Sequence, residues 1–199
     1  LEGRSPKPEP GAAALFRPVM LSNPVQDGDL EKLDPAHYAA EWKWDGIRVQ
    51  VVSEGGVHRL YSRTGDDISG AFPDLLSAVD FDAVLDGELL AGDPRDKTGT
   101  FSDLQQRLNR KTVPTKLQAQ FPAFVRCYDM LMDGSQDLRE LSYDARRTRL
   151  ASLLAGADPA RFDLSRNIDF SSWDELERLR IEPPHPVIEG IMLKRRDSV

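Results

Sequence analysis

The chain has 199 residues, of which 40% are hydrophobic and 30% are charged, and its formal net charge at pH 7 is −7. This length supports one sizeable domain, so we expect a single fold unit, arranged as two lobes around a cleft. The acidic balance excludes a surface that grips nucleic acid unaided, because phosphate contacts come from clustered Lys and Arg. Any contact with a polyanion must therefore be local or shared with another domain.

Cysteine and apolar patterning narrow the class further. Cys127 is the single cysteine, so an intrachain disulfide is excluded and a reducing compartment is favoured. Neither Cys127 nor the three histidines have the spacing of a zinc site. No apolar run is long enough to span a membrane, and no signal-peptide pattern is visible. We therefore expect a protein that is neither secreted nor bound to a membrane.

The first predicted elements are a linker and a hairpin. Four prolines among polar residues predict a semi-extended linker over residues 1–18, which leaves residues 19–199 as the domain. Apolar and polar residues alternate over residues 47–51, which predicts a strand. Two consecutive glycines then precede a second strand over residues 57–61. Together these two strands predict an antiparallel hairpin.

Helices and strands are mixed through the rest of the chain. The sequence predicts helices over residues 72–79, 101–108, 144–154 and 173–179, and strands over residues 83–90, 123–131 and 187–194. Ser172 and Glu175 predict a capping box at the start of the last helix. Because helices do not alternate one for one with strands, we expect an α+β fold, with antiparallel sheets flanked by helices.

The most informative segment is residues 41–48 (EWKWDGIR), in which Lys43 stands between two tryptophans. In an extended segment Lys43 and Asp45 share one face while the tryptophans pack on the other. Gly46 permits a tight turn or a close approach to a ligand, and Arg48 adds a fixed cation with planar donors. The arrangement predicts a covalent catalytic lysine beside a nucleotide. The alternative is an amphipathic strand that ends in a turn and exposes its lysine.

Four further segments follow in order: residues 61–65 (YSRTG), 85–90 (LDGELL), 125–131 (VRCYDML) and 188–194 (IEGIMLK). Together with the lysine segment they resemble the successive nucleotidyltransferase motifs of ATP-dependent DNA ligases. Residues 16–21 (FRPVML) are similar to the segment that precedes the lysine motif in that family. The resemblance covers most of the chain, and it implies a nucleotidyltransferase fold, related to the ATP-grasp-like ligases, with a nucleotide cleft between its sheets.

The resemblance also implies a role for each residue on the base side of the site. Lys43 would attack the α-phosphorus of ATP and form lysyl-AMP, which requires a neutral amine. Glu41 resembles the residue that contacts the adenine amino group. Tyr128 matches the aromatic residue that stacks on adenine, and Met192 would line the other face of the base. An aromatic residue in an apolar strand is also a common core residue.

The remaining roles concern ribose, phosphate and metal. Arg48 and Arg63 resemble residues that contact ribose and phosphate, and Lys194 would reach the α-phosphate. Glu88 resembles the acid that binds the ribose hydroxyls or a metal-bound water, and Glu189 resembles the acid that coordinates Mg²⁺. In a regular strand Glu189 points away from Lys194 and Met192, so the resemblance requires a bulge or bend before Lys194.

Individual residues also bear on contacts with DNA and on three related enzyme families. Arg107, Arg110 and Lys111 are candidates for DNA phosphate contacts, with a solvated helix face as the equal alternative. Arg48 argues against the NAD-dependent ligases, which have a small residue there, and Glu189 argues against capping guanylyltransferases, which have Asp. An RNA ligase or another covalent nucleotidyltransferase remains the alternative enzyme. A nucleotide-binding module without turnover is the alternative of another class.

The resemblance finally implies partners. The expected substrate is nicked double-stranded DNA, in repair, replication or recombination, in a nucleoid or a nucleus. In the parent chain we expect a DNA-binding domain upstream, and a lysine-rich final motif and an oligonucleotide-binding barrel downstream, with the protein acting as a monomer.

Overall fold

A computed structural model describes residues 14–108 and 110–199. Ten strands are assigned in this part of the chain: β1 (Tyr38–Trp44), β2 (Ile47–Glu54), β3 (Val57–Ser62), β4 (Ala83–Asp93), β5 (Lys97–Thr98), β6 (Ala123–Asp133), β7 (Gln136–Asp137), β8 (Phe162–Leu164), β9 (Asn167–Ile168) and β10 (Ile188–Arg195). Five α-helices accompany them: α1 (Pro73–Leu76), α2 (Phe101–Gln105), α3 (Thr115–Gln120), α4 (Tyr143–Leu154) and α5 (Trp173–Ile181). The α+β prediction is therefore confirmed.

The strands form two sheets. A small sheet has the order β10-β1-β9, and a larger sheet has the order β3-β2-β4-β6-β7, with β5 added to β4 and β8 added to β6. The predicted hairpin is confirmed as β2 and β3, which pair antiparallel from Val49 with Ser62 to Glu54 with Val57. The prediction of antiparallel sheets is also confirmed, with one parallel pair added between β6 and β8. Parallel pairing is possible there because α4 forms the crossover between them.

Two of the predicted helices are shorter than the sequence pattern suggests. α1 spans four residues and begins at Pro73, and α2 spans five residues after Thr100. Beyond both helices the chain continues in tight turns. One of these turns is closed by the hydrogen bond from the Val79 N–H to the Leu76 carbonyl. The predicted capping box of α5 is half right. Ser172 accepts from the Glu175 N–H, but the Glu175 carboxylate accepts from the N–H of Ser171 rather than from that of Ser172.

The main core lies between the larger sheet and the helices. Its buried side chains come from β2, β4 and β6 on one side and from α1, α2 and α4 on the other; they include Leu85, Leu89, Val125, Phe72, Leu75, Leu104 and Leu150. This packing fixes the central strands of the sheet, and the polar side chains of those strands on the opposite face are free to build a site. In residues 14–108 and 110–199, no helix is long and apolar enough to cross a membrane.

The opposite face of β2 is covered by the segment before the domain. Residues 1–13 of the predicted linker lie outside the described residues, but residues 14–18 lie against β2 and β3. The Arg17 N–H donates to the Gln50 side chain at 2.7 Å, and the Gln50 amide donates back to the Arg17 carbonyl at 3.1 Å. Tyr61 donates to the Ala14 carbonyl at 2.8 Å. Gln50 is only 1% exposed as a result.

Candidate active site

A cleft of about 720 Å³ lies between the two sheets. Strands β1 and β10 of the small sheet form one wall, and strands β2, β4 and β6 of the larger sheet form the other. All nine residues predicted for the site line this cleft: Glu41, Lys43, Arg48, Arg63, Glu88, Tyr128, Glu189, Met192 and Lys194. Arg63 lies exposed at its rim, in the turn after β3. The chain therefore brings together side chains that are up to about 150 residues apart in the sequence, and their individual roles stay predictions.

Lys43 and Glu189 meet across a β-bulge. Lys43 pairs with Gly190 in the register of β1 and β10, but the next residue, Trp44, pairs with Ile188, so Glu189 is the extra residue. A bulge of this kind redirects one side chain and kinks the strand. Glu189 consequently forms an ion pair with the Lys43 ammonium group. The bend that the alternation along β10 required is present, and it lies at Glu189.

Trp44 supports the lysine from the next position. Its indole lies against the guanidinium of Arg126, 4.1 Å from the ring centroid, and 5.9 Å from the ring of His185. Arg126 is itself held by Asp163 at 2.7 Å. Contacts of a cation with an aromatic face stabilise the arrangement and restrict the indole. The end of β1 is therefore fixed directly beside Lys43.

Glu41 lies at the buried end of the cleft and is only 2% exposed. Its Oε1 atom accepts from the Tyr143 hydroxyl at 2.6 Å and from the Lys194 ammonium at 2.9 Å, and Arg147 lies 3.7 Å away. A buried carboxylate needs such partners, because desolvation of an unpaired charge is costly. Burial and the neighbouring Glu41 charge raise the pKa of Tyr143, so Tyr143 remains a hydrogen-bond donor at neutral pH. Glu41 is thus rigidly held.

Arg48 ties the cleft to the segment before β1. Its guanidinium donates to the Met20 carbonyl at 2.7 Å and to the Asp86 carboxylate at 2.9 Å. Asp86, which is 3% exposed, also accepts from Gln50 at 3.0 Å. The buried Nε of Arg48 has no hydrogen-bond partner among the described residues. Arg48 is therefore oriented by Asp86 and retains a donor for the oxygen of a ligand.

Glu88 stands beside the cations of the site. Burial raises the pKa of this carboxyl to about 8, although a hydrogen bond from the Gly46 backbone and the charges of Lys43 and Arg48 act in the opposite direction. Gly46 approaches so closely that an added Cβ would lie 2.4 Å from the Leu89 carbonyl oxygen. The Gly46 of the lysine segment is therefore required by this close approach rather than by a positive φ.

Tyr128 forms a half-buried wall of the cleft. Burial raises the pKa of its hydroxyl well above the usual range, so the ring stays neutral. The Lys194 ammonium lies 4.7 Å from its ring centroid, and the Arg48 guanidinium lies 5.9 Å from it. Met192 also lines the cleft, opposite Glu41 in the register of β1 and β10. An aromatic face open to a cleft and approached by cations can bind a flat, polarisable ring.

The sequence missed a layer of residues on α4. Asp129, next to Tyr128, forms a bidentate ion pair with Arg146 at 2.8 and 3.1 Å, and both line the cleft. Tyr143 and Arg147 contact Glu41 from the same helix. Only the arginine doublet Arg146 and Arg147 hinted at this layer, and a buried arginine cannot be told from a surface arginine by its spacing.

One predicted DNA contact is wrong. Arg107 is fully buried, and its guanidinium lies 4.6 Å from the ring centroid of Phe72. It forms an ion pair with Asp74 and donates to the carbonyls of Ala71 and Phe121 at 3.0 and 3.1 Å. The tight turn after α2 directs Arg107 inward. Arg110 and Lys111 are exposed and stay candidates for phosphate contacts.

The residues present fit a hard divalent cation of the kind that accompanies a triphosphate. Across residues 14–108 and 110–199, no group of three His, Cys, Asp or Glu side chains could hold a metal ion. Mg²⁺, however, is typically held by one or two carboxylates, with water and substrate phosphates completing its shell. Glu88 and Glu189 are close enough that the charge of Glu189 contributes to the raised pKa of Glu88. Two acidic oxygen donors therefore face the side of the cleft that contains Lys43.

The chain is similar in sequence to known DNA ligases. DNA ligases of the archaea Haloarcula marismortui and Haloferax volcanii are each 33% identical to the chain, over 84% and 80% of its length. The chain spans only 30% and 28% of those two proteins, so it is similar to about a third of each.

Solved structures show the same fold. A mycobacterial DNA ligase D complexed with ATP and MES has a TM-score of 0.63 and 27% identity, and the match covers 83% of this chain and 50% of that one. A Chlorella virus DNA ligase-adenylate, at 17% identity, has a TM-score of 0.61, over 92% and 62% of the two chains. The family model described as an ATP dependent DNA ligase domain matches residues 19–199. The chain therefore belongs to the ATP-dependent DNA ligase domain family.

Proposed function

We propose that this chain is the adenylation domain of an ATP-dependent DNA ligase, and that Lys43 carries the AMP. One observation carries the proposal: the amine of Lys43 lies in a cleft whose walls hold an aromatic face, a buried carboxylate, oriented cations and two acidic side chains. Such convergence of a nucleophile with groups for base, sugar and phosphate is what covalent nucleotidyl transfer requires. The family match and the ATP in the mycobacterial relative support it.

The first step joins Lys43 to the α-phosphorus of ATP. The neutral Nζ atom supplies the electron pair for a new N–P bond and releases a second proton to solvent. The bond from the α-phosphorus to the bridging oxygen breaks, and pyrophosphate leaves with the electrons of that P–O bond. The amine must lose a proton to solvent beforehand. Its ion pair with Glu189 must open before the amine can reach the α-phosphorus.

Glu88 and Glu189 would hold Mg²⁺ on the phosphate side of the cleft. The metal would supply neutralisation of charge on the triphosphate, and holding it would draw the Glu189 carboxylate away from Lys43. Burial raises the pKa of Glu88 to about 8, so this carboxyl would give up its proton to hold the metal. Both acids would then change partners as the nucleotide binds, which would link nucleotide binding to release of the Lys43 amine.

The opposite end of the cleft would hold the adenosine part. Tyr128 offers a face for stacking, Met192 would line the other face of the base, and Glu41 would accept a hydrogen bond from the adenine amino group. Arg48 retains the donor at its Nε for a ribose or phosphate oxygen. Arg63, at the exposed rim, would reach a phosphate. This arrangement would orient a base, a sugar and a phosphate chain in line toward Lys43.

The later steps use nicked double-stranded DNA. An oxygen of the nick's 5′-phosphate attacks the α-phosphorus, and the N–P bond to Lys43 breaks. The adjacent 3′-hydroxyl then attacks the 5′-phosphate, and AMP leaves as the strand is sealed. Because the net charge is −7, we infer that flanking domains of the parent protein, upstream and downstream, share the contacts with DNA. We also infer that the protein acts as a monomer, in the nucleoid or the nucleus.

The test is covalent labelling with ATP that carries a radioactive α-phosphate. Wild type and Lys116→Ala, a control on the exposed face of α3, should retain label after denaturation in the presence of Mg²⁺, whereas Lys43→Ala should retain none. Labelling by GTP or NAD in preference to ATP, or labelling of Lys43→Ala, would contradict the proposal.

A further inference from the structure

Lys194 occupies the base end of the empty cleft. Its ammonium group donates to Glu41 Oε1 at 2.9 Å and lies 4.7 Å from the ring centroid of Tyr128 and 5.3 Å from that of Tyr143. The side chain is 21% exposed, so it is largely withdrawn from solvent. The lysine is therefore placed on the groups proposed to bind adenine.

The register of the small sheet explains this position. Glu41 lies opposite Met192, and Ala39 lies opposite Lys194, so Glu41 and Lys194 are diagonal neighbours on adjacent strands. Side chains in that relation are within reach of one another when they are long. The pair is thus a direct consequence of the strand pairing, and Lys194 can leave Glu41 by rotating its side chain without a change in the backbone.

An ammonium group and an adenine make the same two kinds of contact at this place. Each donates an N–H group to the Glu41 carboxylate, and each binds the face of an aromatic ring, the ammonium by its charge and the purine by stacking. Resting on the proposed function, we propose that Lys194 takes the place of adenine in the nucleotide-free protein, and that arrival of the base displaces it toward the α-phosphate. Lys194 is then a specificity-determining residue as well as a phosphate ligand.

Displacement couples recognition of the base to assembly of the phosphate site. A base that donates to Glu41 replaces the hydrogen bond that Lys194 gives up, whereas a base with a carbonyl oxygen at that position leaves Glu41 dependent on Lys194. The lysine is released only when its replacement is bound. The competition also weakens binding of the base. The factor equals the preference of the protein for the state in which Lys194 occupies the base position.

Glu41 keeps other partners when Lys194 leaves. Tyr143 continues to donate to it at 2.6 Å, and Arg147 lies 3.7 Å from the same oxygen, with a buried NH1 that has no hydrogen-bond partner among the described residues. A small rotation of Arg147 neutralises the carboxylate. Loss of Lys194 therefore does not leave the buried Glu41 carboxylate unpaired. A variant without the Lys194 ammonium group is expected to fold.

The experiment compares adenosine with ATP in the full chain. Binding is followed through the methyl signal of Met192, which lines the cleft, in wild type, Lys194→Met, Lys194→Arg and the matched surface control Lys116→Met. Lys194→Met should bind adenosine about five- to tenfold more tightly than wild type, because the competitor is gone. The same variant should bind ATP more weakly, because the phosphate contact is gone. Lys194→Arg and Lys116→Met should bind adenosine as wild type does.

Opposite changes for adenosine and ATP separate this proposal from a merely structural role, which would weaken both. Adenosine that binds no more tightly to a folded Lys194→Met variant than to wild type would overturn it. A second measurement covers a variant that does not fold: in a crystal of the wild-type chain with adenosine, the Lys194 Nζ atom should have left Glu41, and retention of that bond beside a bound base would overturn the proposal. Wild-type chain that binds neither ligand would instead refute the proposed function.

Discussion

Replacement of Glu88 by Gln tests the electrostatics of the cleft. Burial raises the pKa of Glu88 from its usual 4.5 to about 8, against the opposing effects of the Gly46 backbone, Lys43 and Arg48. A carboxyl with a higher pKa in the folded chain than in the unfolded chain binds its proton more tightly when folded. The stabilisation from that proton is complete below pH 4.5 and is lost as the pH rises through about 8.

The magnitude follows from the width of that window. Each pKa unit corresponds to about 1.36 kcal/mol, so the shift sets a ceiling of about 5 kcal/mol on the loss of stability. Glu88 borders an open cleft, and screening by water reduces the expected loss to about 2–3 kcal/mol. Gln has the shape of the protonated acid and carries no charge at any pH. The variant and the wild type should therefore be equally stable near pH 4.5, and the variant should be more stable by about 2–3 kcal/mol at pH 9.

Urea denaturation at a series of pH values measures this difference. Subtracting the wild-type free energy of unfolding from that of Glu88→Gln cancels the titration of all other groups. Glu182→Gln, at an exposed position after α5, is the matched control for the removal of one carboxylate. A pH-independent difference for Glu88→Gln would refute the claim that burial suppresses ionisation of this carboxyl.

Two further variants separate structural from chemical roles. Arg107→Met should lower the free energy of unfolding by about 3–5 kcal/mol, because Asp74 and two buried carbonyls lose their cation; an unchanged urea midpoint, with weaker binding to nicked DNA, would restore the DNA-contact role. Glu189→Ala should slow adenylation at saturating ATP by more than it weakens ATP binding. Single-turnover labelling and equilibrium binding measure the two quantities, and an unchanged rate would remove Glu189 from the site.

The sequence predicted the strands better than the helices. The hairpin of β2 and β3 and the apolar strands β4, β6 and β10 were recognisable because alternation and apolar runs determine them directly. The short helices α1 and α2 were overestimated, since their apolar spacing continues into tight turns that bury the same side chains. Strands of two residues, such as β5 and β7, could not be foreseen, because their pairing is set by neighbouring strands rather than by their own residues.

The residues that line the cleft were predicted because their segments follow one another in a recognisable order. The residues of α4 that contact them were not predicted. Lys43 and Glu189 belong to segments with distinctive composition, and the conflict between alternation and role along β10 already required the bulge found at Glu189. Tyr143 and Arg146 lie on a helix whose sequence looks like a solvated surface, and their burial depends on carboxylates supplied by β1 and β6. Arg107 was misassigned for the same reason. Long-range burial of cations leaves no local signature in a sequence.

The central claim is that Lys43 forms a covalent bond to AMP, and peptide mapping by mass spectrometry tests it most directly. After incubation of the chain with ATP and Mg²⁺, the peptide that contains Lys43 should carry the mass of one AMP, and fragmentation should place it on the lysine between Trp42 and Trp44. An AMP found on another residue, or an unmodified Lys43 in a chain that demonstrably binds ATP, would contradict the account.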